Sequence, residues 1–395
     1  MTVRIVHYHQ AVELSRGGVV RAVLDLAEAT AARGHEVTLL THSSADVPAA
    51  WAQAKPGEWT TRSVVDLGPQ GWGGVLTRAS IALAREAIRG ADVVHLHTCW
   101  LPANDQLARV CARLGVPIVY SVHGMLDDWS MAQSSLRKRV YHLLRARGTY
   151  GRTAIVHTTA EGELKQARRW IGHARGAVVP LVVDTEPYLE LPDASTAVDS
   201  VLGGVPPRAP SVLFLSRIHY KKGVDVLLRA SAELAGRGVD HEVLIAGPGD
   251  ERESERLCAL SESLGVSERV RWLGPVFGEA KLALYGLADV FCLPTSQENF
   301  GLVLFESLAC GTPLVTTPLV DTGPELESSG GAVLAERTPT AIAGALAGLL
   351  GDPERRRAMG EAGRAWVLRE LSPERVISRY EAMYAEAIEL GRGGA

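Results

Sequence analysis

The chain has 395 residues, 46% hydrophobic and 22% charged. That suits two packed domains of about 150 to 200 residues each and argues against disorder over most of the length. A net charge of -4 gives no basic field and excludes the usual nucleic-acid binder. The five cysteines (Cys99, Cys111, Cys258, Cys292, Cys310) are scattered and in no metal spacing. They fit a reducing cytoplasm rather than a disulfide framework.

The run Met1-Thr2-Val3-Arg4-Ile5-Val6-His7-Tyr8 is strand-like and lacks a charged segment leading into an apolar one, so no signal peptide is expected. No window of about 18 to 20 apolar residues suggests a membrane span. The expected location is the cytoplasm, or the inner face of a membrane for a peripheral protein. Strands are expected at 3–8, 36–41, 93–97, 118–122 and 154–158, and helices at 19–33, 76–89, 104–114, 136–149 and 161–170. Between about 187 and 210 the pattern lapses, with Pro192, Pro206, Pro207 and Pro210 beside Gly203 and Gly204. A second series follows, with strands at 212–216, 242–246, 270–273, 290–293 and 314–317 and helices at 224–236, 251–264, 279–287 and 302–310. From 340 onward the pattern is helical. Alternation of this kind signals βαβ units and parallel sheets. It divides the chain into an N-terminal doubly wound α/β domain at 1–190, a linker at 191–210, a second such domain at 211–372 and a last helix at 373–395. Ligands of such sheets bind beyond the carboxyl ends of the strands, and the expected site is the cleft between the two domains.

The segment from Gln297 to Pro313 carries the most chemistry. Glu298 falls on the loop before a helix and Glu306 within it, with Asn299, Phe300, Gly301 and Leu302 between. Free N–H groups at a helix start attract phosphate, and carboxylates accept hydrogen bonds from sugar hydroxyls. The combination suits a nucleotide-sugar. Arg217 ends the strand at 212–216, and Lys222 comes just before the helix at 224–236; together they can neutralise a diphosphate. Gly17-Gly18 opens the first long helix, and Gly247 and Pro275-Val276 follow two further strands, leaving bare backbone for a phosphate, ribose or base. Each of these turns, taken alone, is also what a plain connection looks like.

In the first domain His95 and His97 share one face of a strand, Trp100 follows, and His123-Gly124 ends the next strand, with Asp127 and Asp128 after it. His123 is read as functional, and His97, Trp100 and Asp127 as candidates for the acceptor; His95 is read as structural. The histidine pair lacks a third ligand and Asp127-Asp128 is not spaced as a clamp, so no metal is expected. The stretch 136–175 holds Arg137, Lys138, Arg139, Arg145, Arg147, Arg152, Lys165, Arg168, Arg169 and Arg175. It reads equally as a peripheral contact with anionic lipid or as a solvated helix face.

Taken together these motifs resemble the retaining glycosyltransferases of family 4. The matches are Gly17-Gly18, 34–41, His123-Gly124-Met125-Leu126, Ser216-Arg217 with Lys222-Gly223, Ala246-Gly247-Pro248-Gly249, and the Glu298 to Glu306 signature. The resemblance implies a GT-B fold, two Rossmann-like domains with the C-terminal helix crossing back to the first. It implies transfer of a hexosyl group, with retention and without metal or cofactor, from a nucleotide-sugar, expected to be UDP-linked, to a hydroxyl of a saccharide, lipid-linked or small-molecule acceptor. By the same resemblance Arg217 and Lys222 hold the diphosphate, Glu306 the ribose, and Glu298 the sugar. The backbone of 299–302 surrounds sugar and phosphate, Gly18 lets the chain approach the phosphate, His123 contacts the sugar, and Pro275-Val276 takes the base. One departure is visible: where the family often has a Gly-Gly-x-Pro-Glu turn, this chain has Val320-Asp321-Thr322-Gly323-Pro324-Glu325. The alternatives are a natural-product or small-metabolite transferase, a nucleotide-sugar epimerase or phosphorylase, a dinucleotide-dependent oxidoreductase and a non-catalytic binding module. The oxidoreductase lacks its Gly-x-Gly-x-x-Gly run after the first strand.

Overall fold

The computed structural model describes residues 2–393; Met1 and the last two residues of the helix expected at 373–395 lie outside the described residues. The chain forms two compact units, Met1–Val183 with Pro373–Ala395, and Asp184–Ser372.

In the first unit the strands are β1 (Arg4–Tyr8), β2 (Glu36–Thr41), β3 (Ala52–Gln53), β4 (Ser63–Asp66), β5 (Val93–His97), β6 (Ile118–Ser121), β7 (Ile155–Thr158) and β8 (Arg175–Val178). The helices between them are α1 (Gly18–Ala32), α2 (Arg78–Ile88), α3 (Pro102–Leu114), α4 (Asp128–Ala132), α5 (Ser135–Tyr141), α6 (Arg147–Tyr150) and α7 (Glu161–Ile171). The sheet is parallel, in the order β3-β4-β2-β1-β5-β6-β7-β8. Its order reverses between β1 and β5, the switch point of a doubly wound sheet.

The second unit contains α8 (Ala194–Ser200), β9 (Ser211–Leu215), α9 (Val224–Gly236), β10 (Glu242–Ala246), α10 (Glu251–Ser263), β11 (Val270–Gly274), α11 (Gly278–Leu287) and β12 (Val290–Leu293). It continues through α12 (Leu302–Ala309), β13 (Leu314–Thr316), α13 (Gly323–Ser329), β14 (Ala332–Leu334), α14 (Pro339–Leu350) and α15 (Pro353–Glu370). Its parallel sheet runs β11-β10-β9-β12-β13-β14, with the switch point between β9 and β12. The last helix, α16 (Pro373–Gly393), belongs to the first unit.

Two local expectations are corrected. Within the 191–210 stretch, residues 201–210 are irregular but 194–200 form a helix: Asp193 caps α8 by accepting from the Ser195 N–H at 2.8 Å, Ala197 is fully buried, and α8 packs on α11 within the second unit. The helix expected at 136–149 is interrupted by a π-turn at His142–Ala146.

Alternation along the first sheet sets the layers. Val6, Tyr8, Val94, Leu96, Ile118 and Tyr120 face one core, packed with α2 and α3. Ile5, Val93, Val119 and Ile155 face the other, where Val376, Ile377, Tyr380, Met383 and Tyr384 of α16 cover them. By the same period of two, His7, His95, His97, Ser121 and His157 lie on the α16 face, and all five are almost fully buried.

Candidate active site

The loops after β9 and β12, at the switch point of the second sheet, carry the charged residues. Arg217 is exposed just past the end of β9 and has no ion pair or hydrogen bond among the described residues. The chain then makes a 3-10 turn at Tyr220–Lys222 and enters α9 through Gly223. Gly223 has φ +79°, and a Cβ there would lie 2.1 Å from the carbonyl oxygen of Pro294, so no side chain fits. This close approach presses the two loops together. The Ser296 N–H donates to Lys221 O at 2.7 Å, the Thr295 hydroxyl donates to the same oxygen at 3.1 Å, and Lys221 Nζ donates to Gln297 Oε1 at 2.7 Å. Lys222 Nζ forms an ion pair with Glu298 Oε2, with less than a fifth of either side chain exposed.

Glu298 is also held by the unusual turn. Glu298 and Val320 form a short parallel bridge, the Asp321 N–H donates to Glu298 O at 2.9 Å, and the Thr322 hydroxyl donates to Phe300 O at 3.1 Å. Asn299 Nδ2 donates to Asp321 Oδ2 at 3.3 Å. The departure from the family pattern therefore fixes the loop around Glu298. Neither α9 nor α12 has a side-chain N-cap, so both helices begin with N–H groups available to an anion. Glu306, one turn into α12, accepts from Lys281 Nζ at 2.8 Å and from the Tyr285 hydroxyl at 3.1 Å. Burial, and then the neighbouring carboxylate, push the Tyr285 phenol far up, so it stays a donor. Gly247 is buried at the end of β10, Pro275 is exposed after β11, and Val276 is buried beside the exposed ring of Phe277.

In the first unit Gly17, at φ +110°, turns the chain into α1, and a side chain at Gly18 would meet no protein atom. His123, two residues past the end of β6, lies in the left-handed region, φ +49°, a costly conformation for a non-glycine residue. Glu163 of α7, itself 1% exposed, holds this turn: Oε1 accepts from the Gly124 N–H, and Oε2 from the N–H and hydroxyl of Thr159 at 2.7 and 2.9 Å.

Two of the acceptor candidates are buried. His97 is 1% exposed and bonded on both ring nitrogens, to His123 Nε2 and to His7 Nδ1, each at 3.0 Å. It stands behind His123. Asp127 is buried as the N-cap of α4, accepting from the Ser130 N–H. Trp100 is half-buried, edge-on to Tyr141 with Lys138 Nζ 5.4 Å from its ring centroid, which ties α5 to the core. The histidine pair does have a third nitrogen near it: one nitrogen from each of His7, His95 and His97 lies within 4.8 Å of the others. His95 spends both its nitrogens on Tyr384 and Ser121, and His97 both of its own on histidines. A cation would have to displace these bonds. Sequence reasoning passed over His7, Glu163, Lys281 and Tyr285. His7 could have been found from its place at the carboxyl end of a central strand; the other three are single polar residues on helices and give no local signal.

The basic segment forms an outward face. Leu136, Val140, Leu143 and Leu144 are exposed beside Trp72, which is 97% exposed, and Arg137, Arg139 and Arg147 are exposed around them. Arg169 and Arg175 are instead paired with Asp128 and Glu386, and Arg145 reaches buried Asp105 at 3.4 Å.

Two doubly wound parallel sheets, with the chain returning to the first unit at its last helix, define the GT-B class of glycosyltransferase. Residues 16–187 match the family described as Glycosyltransferase Family 4, and residues 203–366 match Glycosyl transferases group 1. The chain belongs to glycosyltransferase family 4 and is an enzyme of that kind. It is 32% identical over 301 residues to a D-inositol 3-phosphate glycosyltransferase of Kineococcus radiotolerans, covering 71% of this chain and 68% of that protein. It is 32% identical over 319 residues to a phosphatidyl-myo-inositol mannosyltransferase of Mycolicibacterium smegmatis, covering 77% and 73%. Its fold matches HepE of Anabaena, crystallised in complex with UDP, with a TM-score of 0.76 at 17% identity over 97% of this chain and all of that one.

Proposed function

We propose that this transferase moves a hexosyl group, with retention and without a metal, from a UDP-sugar to an acceptor hydroxyl. The observation that carries the reading is the joined pair of loops at the β9/β12 switch point. They carry the exposed Arg217 guanidinium, the Lys222–Glu298 pair and two uncapped helix starts, the second leading to Glu306. In this reading Arg217, Lys222 and the N–H groups at 301–302 neutralise the diphosphate, the largest charge that develops as the sugar leaves. Lys281 and Tyr285 orient Glu306, whose remaining lone pairs accept the two ribose hydroxyls. Glu298 and the backbone of Asn299 and Phe300 face the sugar. The base lies against Pro275 and Val276, beside Gly247. In the first unit Gly17 and Gly18 are assigned to the phosphates and His123 to the sugar. The bond from the anomeric carbon to the diphosphate breaks as the bond to the acceptor oxygen forms on the same face, and the acceptor proton passes to the departing phosphate oxygen. Glu298 is paired with Lys222 and is not cast as a nucleophile.

HepE, crystallised with UDP, supports the choice of nucleotide. The names of the two relatives make inositol phosphates and phosphatidyl-inositol the first acceptors to test. The exposed apolar and basic face around α5 fits an anionic lipid surface, which would bring the enzyme to a lipid-linked acceptor. Thermal shifts with UDP-, GDP- and ADP-sugars, followed by transfer assays with the best binder, test the reading. UDP released only when an acceptor is present supports it, whereas conversion of the donor to an epimer without acceptor sinks it.

A further inference from the structure

A chain of net charge -4 has no acidic residue between Asp128 and Glu161, yet Arg137, Lys138, Arg139, Arg145 and Arg147 all fall there. The same stretch exposes an apolar stripe. Leu136, Val140 and Leu144 recur every four residues along α5 and the π-turn, and all three are exposed. At the rise of a helix the stripe is about 12 Å long. It is one wall of a groove of about 600 Å³, with Trp72, Val75 and Pro102 opposite and Arg137 and Arg145 among its lining.

Both walls are braced from behind. The Gly71 N–H donates to Val75 O at 2.9 Å. The Leu76 N–H donates to Gln106 Oε1 at 2.7 Å and Gln106 Nε2 donates to Leu76 O at 3.2 Å, which ties the Trp72 loop to α3. On the other wall His142 Nε2–H donates to Trp170 O at 2.6 Å, and Tyr141 packs edge-on against Trp100. The groove is thus held open by the core, while the indole of Trp72 stays 97% exposed.

The shape and charge of the groove select its occupant. A protein partner needs a broad face, about 800 Å² on each side, whereas this volume is that of a small-ligand pocket. A soluble sugar phosphate would leave the indole and the stripe in water. A wholly apolar molecule would make no use of the cations. A hydrocarbon chain that ends in a phosphate satisfies both. Arg145 already reaches Asp105, so exposed Arg137 is the cation for the phosphate. Trp72 follows β4, Pro102 follows β5 and α5 follows β6, so the groove lies toward the carboxyl ends of the first sheet, as His123 does.

We propose that this groove holds the hydrocarbon chain of a single phosphate-linked lipid, with the phosphate at Arg137, and that the acceptor is such an amphiphile, its chain held by the protein itself as well as by a bilayer. Its role as acceptor rests on the transferase reading above; the binding does not. The test is fluorescence titration of the full-length protein with n-alkyl phosphates from butyl to dodecyl, each below its micelle-forming concentration. Trp72→Phe identifies the responding indole among the eight tryptophans. Affinity should rise about fourfold with each added methylene, the transfer free energy of one CH₂ group, and level off once the chain fills the groove. Alkyl glucosides of equal length should bind about tenfold more weakly, and Arg137→Gln should remove that difference. Val140→Gln, within the stripe, should weaken binding about tenfold. Leu143→Gln, exposed on the same segment but outside the groove, should leave it unchanged. Absence of saturable binding by monomeric alkyl phosphates overturns the proposal, even if the protein sediments with anionic vesicles. Equal weakening by Val140→Gln and Leu143→Gln also overturns it, since that marks a surface contact and no groove. Equal affinity for phosphates and glucosides overturns the phosphate assignment. Because the titration needs no donor, failure of the transferase reading leaves the groove standing. Transfer to a soluble acceptor by a protein that binds no alkyl phosphate would overturn this proposal and leave that reading intact.

Discussion

At the scale of single residues, the two cations after β9 differ in what holds them, and that separates stability from catalysis. Arg217 is exposed and unpartnered, so Arg217→Ala should change the unfolding free energy by no more than about 0.5 kcal/mol while mainly lowering kcat. Lys222 neutralises Glu298 in a half-buried pair. Lys222→Ala leaves that carboxylate uncompensated and should cost about 1 kcal/mol or more, read by urea unfolding, besides lost activity. Glu306→Ala removes the group that Lys281 and Tyr285 orient and should weaken binding of free UDP in calorimetry; unchanged affinity would refute the ribose assignment. The acids and cations themselves were legible in the sequence, because strand ends and helix starts gave their positions. Their partners were not. Nothing near Lys281 or Tyr285 in the chain announces that α11 will bring both to Glu306, and nothing near His97 announces that His7 and His123 will take both its nitrogens.

At the scale of elements, strand and helix periods placed the central strands within a residue or so, since each is a continuous apolar run buried on both faces. The omissions were short: the edge strands β3, β8 and β14, β4 beside β3, and the helices α4, α8 and α13, each too brief to carry an apolar period. The turn between β9 and α9 depends on one glycine: Gly223→Ala places a methyl against the backbone of Pro294, which can only yield by separating the two loops. Loss of UDP binding with retained secondary structure by circular dichroism is the expected result. The helix pair α5 and α6 makes a different prediction. Co-sedimentation with phosphatidylglycerol vesicles should be marked and salt-sensitive, weak with phosphatidylcholine, and lost in Leu143→Gln/Leu144→Gln. Equal partition to both vesicles would leave the face as a solvated one. Among the described residues no helix is long and apolar enough to cross a membrane.

At the scale of the whole molecule, the histidines are unevenly shared. His7, His95, His97, His123 and His157 all lie in the first unit, and burial lowers each, His157 to about 4 and His7 and His123 to about 3. The unfolded chain binds these protons near pH 6.5, the folded unit not until far lower. Between those limits the unfolded state holds more protons, so stability is full above about 6.5 and falls as pH drops toward 3. Each such histidine contributes up to about 1.4 kcal/mol of loss per pH unit. Calorimetry from pH 7.5 to 4.5 should show the transition of the first unit moving down steeply. The second unit, with only His241 lowered, should move less.

The return of α16 to the first unit has a consequence for how the protein is made. Its Val376, Ile377, Tyr380 and Tyr384 close one face of a sheet whose first strand is Arg4–Tyr8, and Tyr384 donates to His95 in the middle of it. A ribosome delivers those residues only after the whole of the second unit. The first half to be synthesised must wait, with an apolar face uncovered, while the later half is translated and can already fold behind it. Nascent chains arrested before residue 373 should therefore carry a protease-resistant second unit and a first unit that is still open to cleavage.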